Sequence, residues 1–213
     1  MVNHASRDEM LAAFGPFRVI FEPIGDDRNP YLALLGLHDP RSLDVVRTIR
    51  DVAAAPDSAT FAVTLLRDVN WRPHLVGAIA TYYNPTHETI AQMWAALDAG
   101  SWVTPQLAGI LSRLDTTFVD SAAARLVHCC PLSGNPEYSI ESPIERHSAQ
   151  GPAGSHQRSS KSAASLLALL SPDHASEFSS NDDLHSLIAD DDDGSAEIAT
   201  SWLAKFLELD AQL

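Results

Sequence analysis

Positive charge is scarce in this chain, and lysine is the scarcest basic residue. Lys161 and Lys205 are the only lysines among 213 residues, and 14 basic residues face 28 acidic ones for a formal net charge of -14. A surface of that sign repels phosphate backbones, which are gripped by clustered Lys and Arg, so nucleic acid is not expected as a partner. Cysteine occurs twice, as the neighbours Cys129 and Cys130. Adjacent cysteines close only a strained bridge, which argues against a structural disulfide and for a reducing compartment. Long apolar runs are missing as well. AASLLALL at 163–170 falls far short of the roughly 20 residues that a spanning helix needs. The opening MVNHASRDEMLAAF has neither a basic flank nor an apolar stretch of export-signal length. A soluble cytoplasmic protein without a membrane partner is the expectation.

The motifs of familiar catalysts are absent too. Ten glycines form neither Gly-x-x-x-x-Gly-Lys nor Gly-x-Gly-x-x-Gly, so no phosphate-cradling loop is present. No Gly-x-Ser-x-Gly elbow exists, and the histidines show no His-Glu-x-x-His spacing. His128-Cys129-Cys130 offers soft ligands, but neighbouring side chains on one short segment rarely close a tetrahedral zinc site, and no second pair completes it. The run Asp190, Asp191, Asp192, Asp193 before Gly194 invites a calcium reading. With Gly194 in the glycine slot of such a loop, the first ligand position falls on Ala189 and the last on Thr200, so two required carboxylates are missing. The run reads instead as a solvated turn ahead of a helix N-terminus, where the dipole favours negative charge. No catalytic residue, metal site or cofactor is expected.

What the chain does have is helical periodicity. Hydrophobic residues make up 45% and aromatics only 7%, with abundant alanine, which loses no side-chain entropy in a helix. Residues 6–14 read as a short helix with a Ser6–Glu9 capping box, ended by Gly15 and Pro16. FRVIFEPI at 17–24 has the β-branched and aromatic character of a strand, though a lone strand would need a partner edge. From residue 30 to about 127 the pattern is helical. Asp39-Pro40 and Asn84-Pro85 look like helix starts. Ile90, Met93, Trp94 and Leu97 form an apolar stripe, and so do Leu107, Ile110, Leu111 and Leu114.

One pattern recurs. NWRPHLVGAIATYY at 70–83 and SWVTPQLAGILSRL at 101–114 each place a tryptophan ahead of Pro-x-Leu-x-Gly, with the prolines 32 residues apart. That offset suits two-helix repeats, in which Gly77 and Gly109 would admit a close neighbour and Trp71 and Trp102 would plug the space between layers. The segments LLRDVNWRPHLVGAIATYY and ALDAGSWVTPQLAGILSRLD resemble HEAT-like repeat units, over roughly residues 37–127. The Trp-to-Pro spacing, two residues in one copy and three in the other, departs from a regular repeat. The resemblance implies an all-α fold, a short HEAT-like solenoid of helical hairpins whose surface recognises another molecule.

Composition then shifts. Of the 33 residues from 131 to 163, fifteen are Pro, Gly or Ser, which reads as a flexible linker. Residues 164–213 read as an acidic C-terminal helical segment. Its stretch 171–213 has eleven acids against Lys205 alone, while Ile198, Trp202, Phe206 and Leu209 give its last helix a stripe that must dock somewhere. The expected organisation is thus a cap plus repeats over 1–130, a linker over 131–163 and a tail over 164–213. Candidate binding residues are Trp71, Arg72, Tyr82, Tyr83 and Trp102, types enriched at interfaces, together with Asp190 to Asp193. A protein-binding module for a basic protein is the expected role. Within that class an inhibitor of the immunity type, neutralising a basic toxin or nuclease, fits best. Twelve arginines against two lysines hint at a GC-rich, bacterial source. A scaffold or adaptor subunit and an enzyme built on HEAT-like repeats are the alternatives.

Overall fold

A computed structural model describes residues 7–23, 29–129, 152–191 and 193–213. Among them the fold is all-helical. The α-helices are α1 (Arg7–Ala13), α2 (Ser42–Ala53), α3 (Ser58–Leu66), α4 (Trp71–Tyr83), α5 (His87–Asp98), α6 (Thr104–Leu114), α7 (Phe118–Cys129), α8 (Pro152–Leu169), α9 (Pro172–Ser176), α10 (Asp182–Ala189) and α11 (Ser195–Asp210). Two 3₁₀ segments, Gly15–Ile20 and Pro30–Leu34, lie between α1 and α2. No described helix is long and apolar enough to cross a membrane.

The chain divides into two compact units, Met1–Ala96 together with Ser201–Leu213, and Leu97–Thr200. The divisions fall inside α5 and α11. They differ from the boundaries expected at 130 and 163, and each copy of the Trp…Pro-x-Leu-x-Gly pattern belongs to a different unit.

In the first unit α4 is the central helix, packed by α2, α3 and the second 3₁₀ segment. Every residue of α4 from Pro73 to Thr81 is buried. The cause is composition: these positions are almost all small or aliphatic, and an apolar circumference has to be covered on all sides. Gly77 is required where α3 presses closest. A Cβ there would lie 2.9 Å from Leu66 Cγ and 3.1 Å from Leu65 Cβ. The two polar members are satisfied locally, Thr81 Oγ1 donating to Gly77 O at 2.8 Å and His74 Nε2 lying 2.6 Å from Asp68 O. The end of α11 returns to this unit. Trp202 and Phe206 are buried and stacked, 5.3 Å apart, and Trp202 Nε1 donates to Leu34 O at 2.8 Å.

The segment 17–24 corrects the sequence reading, because its start is a 3₁₀ turn and not a strand. Gly15 adopts φ +55° and Pro16 presets the first turn, so the backbone bonds locally, with Phe17 N to Phe14 O at 3.2 Å and Phe21 N to Arg18 O at 2.9 Å. With no strand among the described residues to pair with, i to i+3 bonds are the available way to satisfy these groups. The bulky residues still fill a core, since Phe17 and Ile20 are buried.

Helix starts also move by a residue or two. Asp39 accepts from the backbone N–H of Arg41 at 2.9 Å, and α2 begins at Ser42. Asn84 closes α4 and donates to Ser58 Oγ at 2.9 Å, while Thr86 caps α5 in a reciprocal pair with Thr89, each side-chain oxygen accepting the other's N–H at 3.0–3.1 Å. Ser6 lies outside the described residues.

In the second unit α6 is the central helix, buried from Thr104 to Leu111 and packed by α7 and α8. Helix α8 also packs on α7 and α10. It replaces the last third of the expected linker, residues 152–163; the rest of that stretch lies outside the described residues, as does Cys130. Serine and glycine made the segment look unstructured, yet Ser160 and Ser162 to Leu166 are buried, because small side chains let helices approach closely. Ser165 Oγ bonds back to Lys161 O at 2.7 Å, which removes the cost of burying its hydroxyl.

Candidate functional site

The eight described residues among the nine expected for binding divide among three places. The first is the start of α4. Asn70 caps this helix, its side chain accepting from Arg72 N at 3.1 Å. The cap fixes Arg72 so that its guanidinium lies over the Trp71 ring at 4.7 Å and its Nε donates to Tyr31 Oη at 3.0 Å. Trp71 meets Tyr31 edge-on at 6.4 Å, Tyr31 meets Phe21 at 5.7 Å, and Phe21 meets Phe14 at 5.0 Å. This row of rings runs into the core. Trp71 and Arg72 are therefore half-buried members of the first unit's packing, and the Arg72 guanidinium is held by the Tyr31 hydroxyl, the Asn70 side chain and the Trp71 ring.

The second place is the other end of α4. Tyr82 and Tyr83 both donate to Asp210, to Oδ2 at 2.9 Å and Oδ1 at 2.8 Å. Tyr82 also packs edge-on against Phe206 at 4.9 Å. Burial, reinforced by the Asp210 carboxylate, raises the Tyr83 hydroxyl pKa far above its usual value. Both tyrosines thus serve as the dock for the C-terminal end of α11. Eleven helical residues, about 16 Å, separate them from Trp71, so these four residues do not form one patch.

The third place lies in the second unit and brings two expected residues together. Trp102 was expected to plug a space between helices; instead 58% of it is exposed. It precedes α6 in the turn after Gly100, whose φ is +72°. Beside it is a half-open recess of about 190 Å³. Trp102, Pro105 and Ile198 supply apolar walls, and Lys161, Asp193 and Gln106 supply polar ones. Lys161 Nζ stands 5.9 Å from the centre of the Trp102 ring and forms an ion pair with Asp193 Oδ2. The lysine side chain is only 12% exposed, whereas the Asp193 side chain is 47% exposed.

Part of the acidic run is built into helix ends. Asp190 is the C-cap of α10, and Asp191 accepts from Ser195 N at 2.7 Å and from Ser195 Oγ at 2.9 Å. Gly194, at φ +67°, turns the chain between them and α11. Asp192 lies outside the described residues. Asp191 is thus engaged by the helix start and Asp193 by Lys161, and no group of three or more metal-ligating side chains occurs among the described residues.

The sequence did not mark Lys161, Pro105, Gln106 or Ile198 as binding residues, Ile198 having been read only as part of a docking stripe. Lys161 had fallen inside the expected linker. The available signal was its rarity, as one of two lysines in the chain, and its place two residues before the apolar run at 163–170. Chemically, the recess offers an exposed aromatic face, a half-exposed carboxylate and apolar walls, which suits a cation on an apolar stem. No family model, curated protein or solved structure matches this chain.

Proposed function

We propose that this chain is a protein-binding module for a basic protein, acting in the cytoplasm as an inhibitor of the immunity type that neutralises a basic toxin or nuclease. The observation that carries the reading is the exposure of Trp102 beside Asp193, next to a segment of one charge. Residues 171–200 contain nine acids and neither Lys nor Arg. Among the described ones, Asp173, Glu177, Asp182, Asp183, Asp190, Asp193 and Glu197 are exposed. Tryptophan dominates binding energy at interfaces when a partner desolvates it. Surrounding acids speed the encounter with a basic partner and disfavour acidic ones.

The test is co-expression with a basic toxin or nuclease encoded beside this chain, followed by titration of the purified pair at increasing salt. Protection of the cells, with an affinity that falls as salt rises, is the expected result. Failure to protect, together with no complex at low salt, would rule out the inhibitor role. A stable complex with a larger assembly and no effect on any toxin would favour a scaffold.

A further inference from the structure

The geometry points to the Trp102 recess as the seat for one arginine side chain of the basic partner, an inference that rests on the binding role proposed above. Size comes first. Pockets for small molecules and cofactors commonly measure about 300–1,000 Å³. At about 190 Å³ this recess is matched to a single side chain.

Its chemistry selects a cation, and the chain's own Lys161 demonstrates this. That ammonium sits over the Trp102 ring and on Asp193, the two contacts that an incoming cation would use. Lys161 approaches from within α8 and is nearly buried, so it leaves both partners accessible: Trp102 is 58% exposed and the Asp193 side chain 47%. Lys161 takes Asp193 Oδ2. A carboxylate can receive a second donor on its other oxygen. Lys161 repels a second positive charge, and the acids around Asp193 in the chain, Asp190, Asp191 and Glu197 with no base among them, oppose that repulsion.

Arginine is favoured over lysine for two reasons. A guanidinium is planar and stacks on an indole face, and it is more weakly hydrated than an ammonium. Pro105 and Ile198 give its methylene stem an apolar wall.

The experiment uses the full chain and oligoarginine, oligolysine and oligoglutamate peptides of equal length, with the indole N–H signals of the four tryptophans followed by NMR. Oligoarginine is expected to bind several-fold more tightly than oligolysine and to move the Trp102 signal. Trp102→Ala should weaken oligoarginine by about tenfold, with Trp102→Phe intermediate. Asp193→Asn should weaken it as well. If oligoarginine binds wild type and Trp102→Ala equally, the seat is wrong while the basic-partner reading survives. Equal binding of oligoarginine and oligolysine at Trp102 overturns the arginine preference. If neither basic peptide binds, or oligoglutamate binds as well as they do, the basic-partner reading falls and the seat with it.

Discussion

Two tryptophans introduce the same Pro-x-Leu-x-Gly helix pattern, and each has a cation over its ring, yet their situations are opposite. Trp71 opens α4, meets Tyr31 edge-on and is covered by Arg72, which is itself bonded to Tyr31. Trp102 stands before α6, mostly in solvent, with Lys161 beneath it. The difference traces to one residue. Spacing of two to the proline places Trp71 in the first turn, whereas spacing of three leaves Trp102 outside the helix; one residue is also a 100° rotation on a helix face. The helices themselves are equivalent in kind, since each is the buried centre of its unit. The pattern therefore specifies a core helix, and the residue count ahead of it decides whether the tryptophan is packing or surface.

This comparison can be broken at several points. The largest effect is expected at Phe206, on which the α4 tyrosines and Trp202 converge. Phe206→Ala should destabilise the first unit by about 3–5 kcal/mol in urea denaturation, the cost of emptying a buried aromatic site. A loss under about 1 kcal/mol would show that the end of α11 is not docked as described. Filling the close approach at Gly77 comes next. Gly77→Val should cost about 1–3 kcal/mol, because its β-carbon meets Leu65 and Leu66. Neutral behaviour there would mean that α3 and α4 lie further apart.

The two patterns also differ at the position after proline, where the first unit has His74 and the second has Gln106, both buried. Burial holds the His74 pKa below its ordinary value, although the Asp68 carbonyl and carboxylate favour the charged ring. With the folded value depressed, His74 imposes no penalty above the unfolded pKa of about 6.5. As pH falls below that point the unfolded chain takes up the proton first, and stability declines by up to about 1.4 kcal/mol per pH unit until the lowered folded pKa is reached. His74→Gln should flatten this decline below about pH 6.5 relative to wild type, in denaturation midpoints measured across pH. An unchanged slope would mean that folding does not depress the His74 pKa.

Much of this organisation is legible in the sequence. The positions of α2 to α6 follow from apolar spacing, proline and glycine, and the last helix announced its stripe and its need to dock. Asp191 holds a helix start where the acidic run was read as one. Three features were hidden for physical reasons. FRVIFEPI is strand-like in composition, but Gly15-Pro16 and the lack of a partner edge turned its start into a 3₁₀ segment. The beginning of α8 looked like a linker, because small residues signal flexibility in isolation and close packing once a neighbouring helix covers them. The recess was hidden because it joins Trp102, Lys161 and Asp193 from three distant segments, a conjunction that only folding reveals. Tyr82 and Tyr83 were marked as interface residues by type, and they are engaged by Asp210 and Phe206 of the same chain.

Trp71 is packed into the first unit, whereas Trp102 stands mostly in solvent and is expected to contribute little to stability. Urea denaturation of Trp71→Ala and Trp102→Ala, measured side by side, tests this contrast most directly. A loss of about 1.5–3 kcal/mol for Trp71→Ala, with Trp102→Ala within about 0.5 kcal/mol of wild type, is the predicted result. Equal losses in the two variants, or a larger one for Trp102→Ala, would contradict it.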